Sequence, residues 1–230
     1  MLKFSPILLA LIYGVVVYIM SAGRLHRELD QKSSPLDDTE LEALSRKMAR
    51  ALDLDQIAVN IYEIDPVNGL AAPDGRIFLT RGFINKYKMG EISAPELASV
   101  IAHELGHVAL GHTRRRWLDF SGQNAIRVTL SMVLSRFLGG FGVMIANWVA
   151  SGIAARVSRG DEFEADEYAA ALLTRAGIGT AGQISLFRKF EAQSGGSQPT
   201  FAWLMSHPKM ADRIAAIEAL EDKWHAPSPQ

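Results

Sequence analysis

Apolar and polar positions divide this chain into segments of different period. Phe4 to Met20 is an apolar run of about 17 residues, at the lower limit for a helix that spans a bilayer. Lys3 precedes it, and Arg24 and Arg27 follow. Residues 1–23 therefore predict a single N-terminal membrane anchor, or alternatively a signal peptide cleaved near Ser21-Ala22-Gly23. Residues 24–37, with Ser33-Ser34-Pro35, read as a polar linker. Thr39 and Glu42 fit a capping box. Leu41, Leu44, Met48 and Leu52 then recur at helical spacing. Ile57 to Ile64 alternates and is rich in β-branched residues, which predicts a strand. Gly69–Ala72 and Arg76–Thr80 read as two further strands around Pro73-Asp74-Gly75. Ser93 and Glu96 form a second capping-box pattern, with Pro95 in the first turn. The helix they open runs to about Gly111. Leu97, Ile101, Leu105 and Val108 mark its apolar face, and the opposite face is expected to look into a cleft.

The second half is helical throughout. Trp117 to Val157 is strongly apolar but holds Asp119, Arg127, Arg136 and Asn147. It predicts a pair of helices packed on the domain or lying at a membrane surface, with a re-entrant hairpin as the alternative. Ser158 to Ala176 reads as a helix ended by Gly177, and Thr180 to Gln193 as another. Ser194 to Pro199 is a flexible loop, a candidate gate. His207-Pro208 opens a final helix with Met210, Ile214, Ile217 and Leu220 on its apolar face. The expected fold is α+β and predominantly helical, with a small β-sheet ahead of the helix over residues 93–111. The main domain is expected over 38–224 and a tail over 225–230.

Composition narrows the function. The chain has 230 residues, of which 48% are apolar, enough for one sizeable core. A net charge of −1 argues against nucleic acid as a partner, and Arg114-Arg115-Arg116 reads as a solvated helix end. There is no cysteine, so a metal site must be built from histidine and carboxylate.

His103-Glu104-Leu105-Gly106-His107 is an H-E-x-x-H pattern within a helical run. Residues four apart share a helix face, so His103 and His107 aim at one metal ion. Glu104, about 100° round the helix, reaches a water on that ion. A catalytic zinc takes three protein ligands and keeps one open position. His112 is about half a turn off the histidine face, so a distal carboxylate is the better third ligand. In Arg159-Gly160-Asp161-Glu162-Phe163-Glu164-Ala165-Asp166, helical geometry puts Glu162 and Asp166 on one face. Asp166 would then accept a hydrogen bond from the far nitrogen of His103 or His107 and fix its tautomer. Ala165, Ala169 and Ala170 allow close helix approach, and Arg159 is placed to order the site carboxylates or the helix start.

These two motifs, with Asn68-Gly69-Leu70-Ala71, Gly75-Arg76-Ile77 and His207-Pro208 with Arg213, resemble the M48 peptidase family over roughly Leu36 to Leu220. The family comprises gluzincin zinc metalloproteases of the HtpX and CaaX prenyl endopeptidase type. The resemblance implies a zinc metalloendopeptidase with one Zn2+ per chain. It makes His103, His107 and Glu162 the ligands and Glu104 the base. It offers His207 as an oxyanion donor or a regulator of the site. The two clear membrane helices of multi-span members are not evident between the motifs, which favours single-anchor or secreted members. Expected substrates are misfolded or membrane-associated proteins and peptides, handled in membrane or envelope quality control. The catalytic domain is expected on the extracytoplasmic side, anchored through the N-terminal segment or secreted. The alternative is a zinc-stabilised peptide-binding chaperone or assembly factor, against which an intact Glu104 speaks.

Overall fold

The computed structural model describes residues 20, 23–24, 26–72, 74–112, 131, 133–194 and 210–225. The chain divides into two compact units. One comprises residues 31–110 and 162–230, the other residues 1–30 and 111–161.

The larger unit begins with a strand where the sequence suggested only linker. β1 (Ser33–Pro35) precedes helix α1 (Thr39–Ala51), β2 (Val59–Tyr62), β3 (Gly69–Ala71) and β4 (Ile77–Thr80). Helix α2 (Arg81–Lys88) leads into α3 (Ala94–Ala109). Asp38 rather than Thr39 caps α1, its carboxylate accepting from the Leu41 N–H at 3.0 Å. A carboxylate one residue earlier satisfies the same orphan donors the hydroxyl would have met.

The strands form one mixed sheet in the order β1-β2-β4-β3, with β2 parallel to β4 and the outer pairs antiparallel. β4 is buried at every position, as suits a central strand. Register fixes which main-chain groups face each edge. Bonds from Thr80 N–H to Asn68 and from Ala72 N–H to Arg76 pair alternate residues of β3 with β4. Gly69 and Ala71 therefore turn their N–H and C=O groups towards the outer edge. At the other edge, Glu63 N–H to Lys32 and Leu36 N–H to Val59 leave Ser33 and Pro35 facing outward. Proline has no N–H to offer there.

α3 lies at the centre of this unit and packs on α1, β3, β4 and the later helix α5 (Ala181–Ser194). Every residue from Glu96 to His107 is buried. Its polar side chains are covered as completely as its apolar ones. Its N-terminus carries the expected acidic arm. The Ser93 N–H and hydroxyl both donate to Glu96 Oε2, at 2.7 and 3.1 Å. Glu96 also receives Ser185 Oγ and Lys189 Nζ, which ties α3 to α5.

α4 (Gly140–Arg175), α5 (Ala181–Ser194) and α6 (Met210–His225) follow. α4 is much longer than the helix expected over Ser158 to Ala176. No proline occurs within it, and Gly152 and Gly160 alone do not interrupt a helix. Residues 133–138 are also helical, and Gly139 turns the chain at φ 55° before α4 starts. In that smaller unit Val133, Phe137, Leu138, Phe141 and Met144 are exposed. Among the described residues, no helix is long and apolar enough to cross a membrane. The run Phe4 to Tyr18, residues 113–130, the Gly195–Pro199 stretch and His207-Pro208 lie outside the described residues.

Candidate metal centre

The central helix brings its two histidines to one point. The His103 and His107 rings meet edge to face at 89°, and their Nε2 atoms are 3.1 Å apart. Glu162, from the later part of α4, closes the group. Its Oε2 is 3.4 Å from His103 Nε2 and its Oε1 is 3.5 Å from His107 Nε2. One ligand atom from each of the three residues lies within 4.8 Å of the others, and all three residues are buried.

This donor set fits zinc. Tetrahedral bonds of about 2.0–2.1 Å separate neighbouring donor atoms by about 3.3 Å, close to the spacings here. Two nitrogens and a carboxylate converging in a buried place need a positive charge among them, whether protons or a metal cation.

The approach of α4 to α3 depends on Gly106, the fourth residue of the histidine motif. A Cβ there would stand 3.0 Å from both Cα and the carbonyl oxygen of Ala165, and 3.3 Å from Tyr168 Cβ. Ala165, Ala169 and Ala170 are fully buried, as expected of a close helix contact. Small side chains on one helix and none on the other bring Glu162 to the histidines.

Behind the ligand atoms lies a second layer. Asp166 Oδ1 is 2.9 Å from His103 Nδ1. A carboxylate accepts here, so Nδ1 carries a proton, and in the neutral ring that binds metal Nε2 turns its lone pair towards His107 and Glu162. Of the two histidines the sequence left open, His103 is thus the one Asp166 holds. Burial favours the neutral imidazole, but the hydrogen bonds to Asp166 and Glu162 outweigh it and raise the His103 pKa to about 9 without metal. Burial would also raise the Asp166 pKa, but Arg213 and His103 hold it below the usual carboxylate range.

Arg213, from α6, follows His207-Pro208 in the sequence motif, which by itself assigns it no role. It is completely buried. Its Nε and Nη2 both donate to Asp166, the latter at 2.7 Å, and its Nη1 lies 3.7 Å from Glu162 Oε2. Its guanidinium stacks 4.4 Å over the Phe187 ring of α5. The signal was present in the sequence: Met210, Arg213, Ile214 and Ile217 share one face, with a cation inside the apolar stripe. Arg159, expected to order the carboxylates, is exposed instead. The guanidinium that binds them arrives from the last helix. His112 lies beyond the end of α3, after Gly111 at φ 69°, and sits 3.8 Å from Asp161, outside the three-ligand group. His207 lies outside the described residues.

Glu104 is buried on α3 beside the sheet. A Cβ on Gly69 would come within 3.6 Å of Glu104 Cγ and Oε1, and within 2.6 Å of Val100 Cγ1. The bare backbone of β3 thus lies directly against the candidate base. A carboxylate next to a three-ligand metal site and a strand edge has the parts needed to hydrolyse an extended peptide.

Comparisons with known proteins place the chain among peptidases. The model of peptidase family M48 matches residues 35–221. The chain is similar to metalloprotease LoiP of Escherichia coli (strain K12), 29% identical over 77% of this chain and 68% of LoiP. It is similar to metalloprotease YcaL of the same organism, 30% identical over 74% of this chain and 66% of YcaL. It also resembles a protease HtpX homolog of Janthinobacterium sp. (strain Marseille), 28% identical over 85% of this chain and 76% of that protein. The chain spans about two thirds of the length of LoiP and YcaL.

Proposed function

Proceeding from peptidase family M48, to which this chain belongs, we propose that His103, His107 and Glu162 hold its zinc ion and that Glu104 is its catalytic base. The protein is a zinc-dependent metalloendopeptidase that hydrolyses peptide bonds in proteins. The observation that carries the residue assignment is the convergence of two Nε2 atoms and one carboxylate within 4.8 Å, with the base on the same helix.

Bound there, zinc supplies a Lewis acid for the scissile carbonyl and lowers the pKa of a coordinated water towards about 7. The residues of the chain do the rest. Glu104 accepts a proton from the attacking water as its oxygen bonds to the carbonyl carbon. It returns that proton to the amide nitrogen as the C–N bond breaks, and the amine leaves neutral. Asp166 keeps the His103 proton on Nδ1 throughout. The outward N–H and C=O groups of Gly69 and Ala71 pair with an extended substrate strand and lay it beside Glu104. That mode of recognition reads main chain rather than sequence, which suits misfolded proteins as substrates.

The finer setting is envelope or membrane quality control, with the catalytic domain extracytoplasmic and held to the membrane. Two features support contact with lipid. The smaller unit exposes a run of apolar side chains, with Phe137 at 78% and Phe141 at 70%. Residues 120–160 contain Arg127, Arg136, Arg156 and Arg159 but no acidic residue, which suits an anionic surface.

The test compares wild type with Glu104→Gln on casein and on an unfolded protein, zinc content being measured in both. The variant should retain zinc and lose at least about a hundredfold in rate. A zinc-loaded wild type that cleaves nothing would instead favour a peptide-binding assembly factor.

A further inference from the structure

Arg213 is the one arginine among the largest fully buried side chains of the described residues. Both ends of its surroundings are specific. One face of the guanidinium lies on Phe187, and its edge is spent on Asp166, with Nη1 reaching towards Glu162. The guanidinium is donor-only, and two of its N–H groups hold the Asp166 carboxyl in place as an acceptor.

The geometry at Asp166 Oδ1 gives this a consequence. That oxygen receives Arg213 Nη2 at 2.7 Å and lies 2.9 Å from His103 Nδ1. Arg213 Nη2 also approaches His103 Nδ1 directly, at 3.4 Å. The guanidinium has no acceptor to offer. Were Asp166 turned away, Arg213 would face Nδ1 as a donor and favour the lone pair there. The imidazole proton would then sit on Nε2, pointing into the ligand group and unable to bind metal. With Asp166 gripped by the planar fork and its Oδ1 set against Nδ1, the proton stays on Nδ1. Gln183 Nε2, 3.3 Å from the Asp166 carbonyl oxygen, steadies the same turn of α4.

We propose that Arg213 is a positioning residue which, through Asp166, fixes the His103 tautomer and thereby sets the affinity of the site for zinc. The inference rests on the ligand assignment above. It makes the last helix, more than 100 residues beyond His103 (|i−j| = 110), part of the metal site without touching the metal.

The experiment measures zinc dissociation constants by competition with a chelating dye, and unfolding of the metal-free protein by urea, for five purified variants. Glu162→Gln is the control for the ligand set. If it binds zinc as tightly as wild type, the ligand assignment fails and not this proposal. Asp166→Asn should weaken zinc binding about tenfold to a hundredfold. Arg213→Lys keeps the charge but not the fork and should weaken it about tenfold. Arg213→Met leaves Asp166 buried without its partner, and its affinity should fall at least as far. The double variant Asp166→Asn with Arg213→Met leaves neither Asp166 nor Arg213 as a buried charge without the other, so it also serves if Arg213→Met alone does not fold. Its zinc affinity should equal that of Asp166→Asn. A further tenfold loss in the double variant, or wild-type affinity in Arg213→Lys, would overturn the proposal. A merely structural arginine would lower the urea midpoint of every Arg213 variant and leave the affinity unmoved.

Discussion

At the scale of single residues, the site is decided by how near two backbones come. Gly106 lies between the two histidines in sequence, but its importance lies against Ala165. Gly106→Ala would put a methyl group 3.0 Å from the Ala165 main chain. The helices must then part by a few tenths of an ångström, taking Glu162 away from His103 and His107. The expected cost is about 1–3 kcal/mol of stability, read as a lower urea midpoint of the metal-free protein, together with weaker zinc binding. A variant with the wild-type midpoint and affinity would show that the contact is not limiting. At this scale the sequence was informative where a period forces a geometry. Residues four apart on a helix put His103 and His107 together, and likewise Glu162 and Asp166. It marked Arg213 only as a cation inside an apolar stripe and could not name its partners, because no local rule joins one helix to another so distant in the chain. Arg159 is adjacent to the carboxylates in sequence yet exposed, and proximity along the chain misassigned it the role.

At the scale of elements, α3 is held at its start by a buried carboxylate. Glu96 accepts from Ser93, Ser185 and Lys189. Burial alone would raise its pKa, but the hydrogen bonds from Lys189, Ser185 and Ser93 hold it below the ordinary value of 4.5. A carboxylate with a depressed folded pKa stabilises the protein above the unfolded value, and that contribution fades as pH falls through the folded one. Glu96→Gln should therefore cost about 1–2 kcal/mol at pH 7, a modest figure because Lys189 is partly solvated. The difference in urea midpoint between wild type and variant should shrink as pH drops below 4.5. A gap that stays constant down to the acid transition would mean that the charge is not what holds the helix end. The Ser93–Glu96 pattern was legible because a cap is a local device. β1 was not: Ser33-Ser34-Pro35 has no strand propensity, and only pairing with β2 makes it one. The extent of α4 was missed as well. The apolar run to Val157 and the helix over Ser158 to Ala176 read as separate elements, where one continuous helix, Gly140–Arg175, joins them.

At the scale of the whole molecule, the zinc enzyme carries an apolar surface that its catalysis does not use. Replacing Phe137 and Phe141 together by serine should weaken binding to vesicles containing anionic lipid about tenfold or more. Cleavage of a soluble unfolded protein should be unchanged. Flotation of the full chain with vesicles measures the first and casein hydrolysis the second. Equal flotation of variant and wild type would remove the lipid reading of this surface. The fold class, α+β and mostly helical with a small sheet before the site helix, was legible because period and capping mark each long element. The burial of the histidine helix on all sides was not, since it depends on the Asp166–Arg213 network that lets charged groups leave water together.

The two borders of the sheet differ in a way that bears on self-association. A protein with exposed pairing groups on both borders can add copies of itself without end, each new arrival presenting a fresh template. Here Pro35 spoils one border, while Gly69 and Ala71 keep the other receptive. Two copies meeting through their receptive borders would use up both, and growth would stop at a pair. Under the proposed mode of substrate binding, the border that would take an extended chain is also the one such a pair would close.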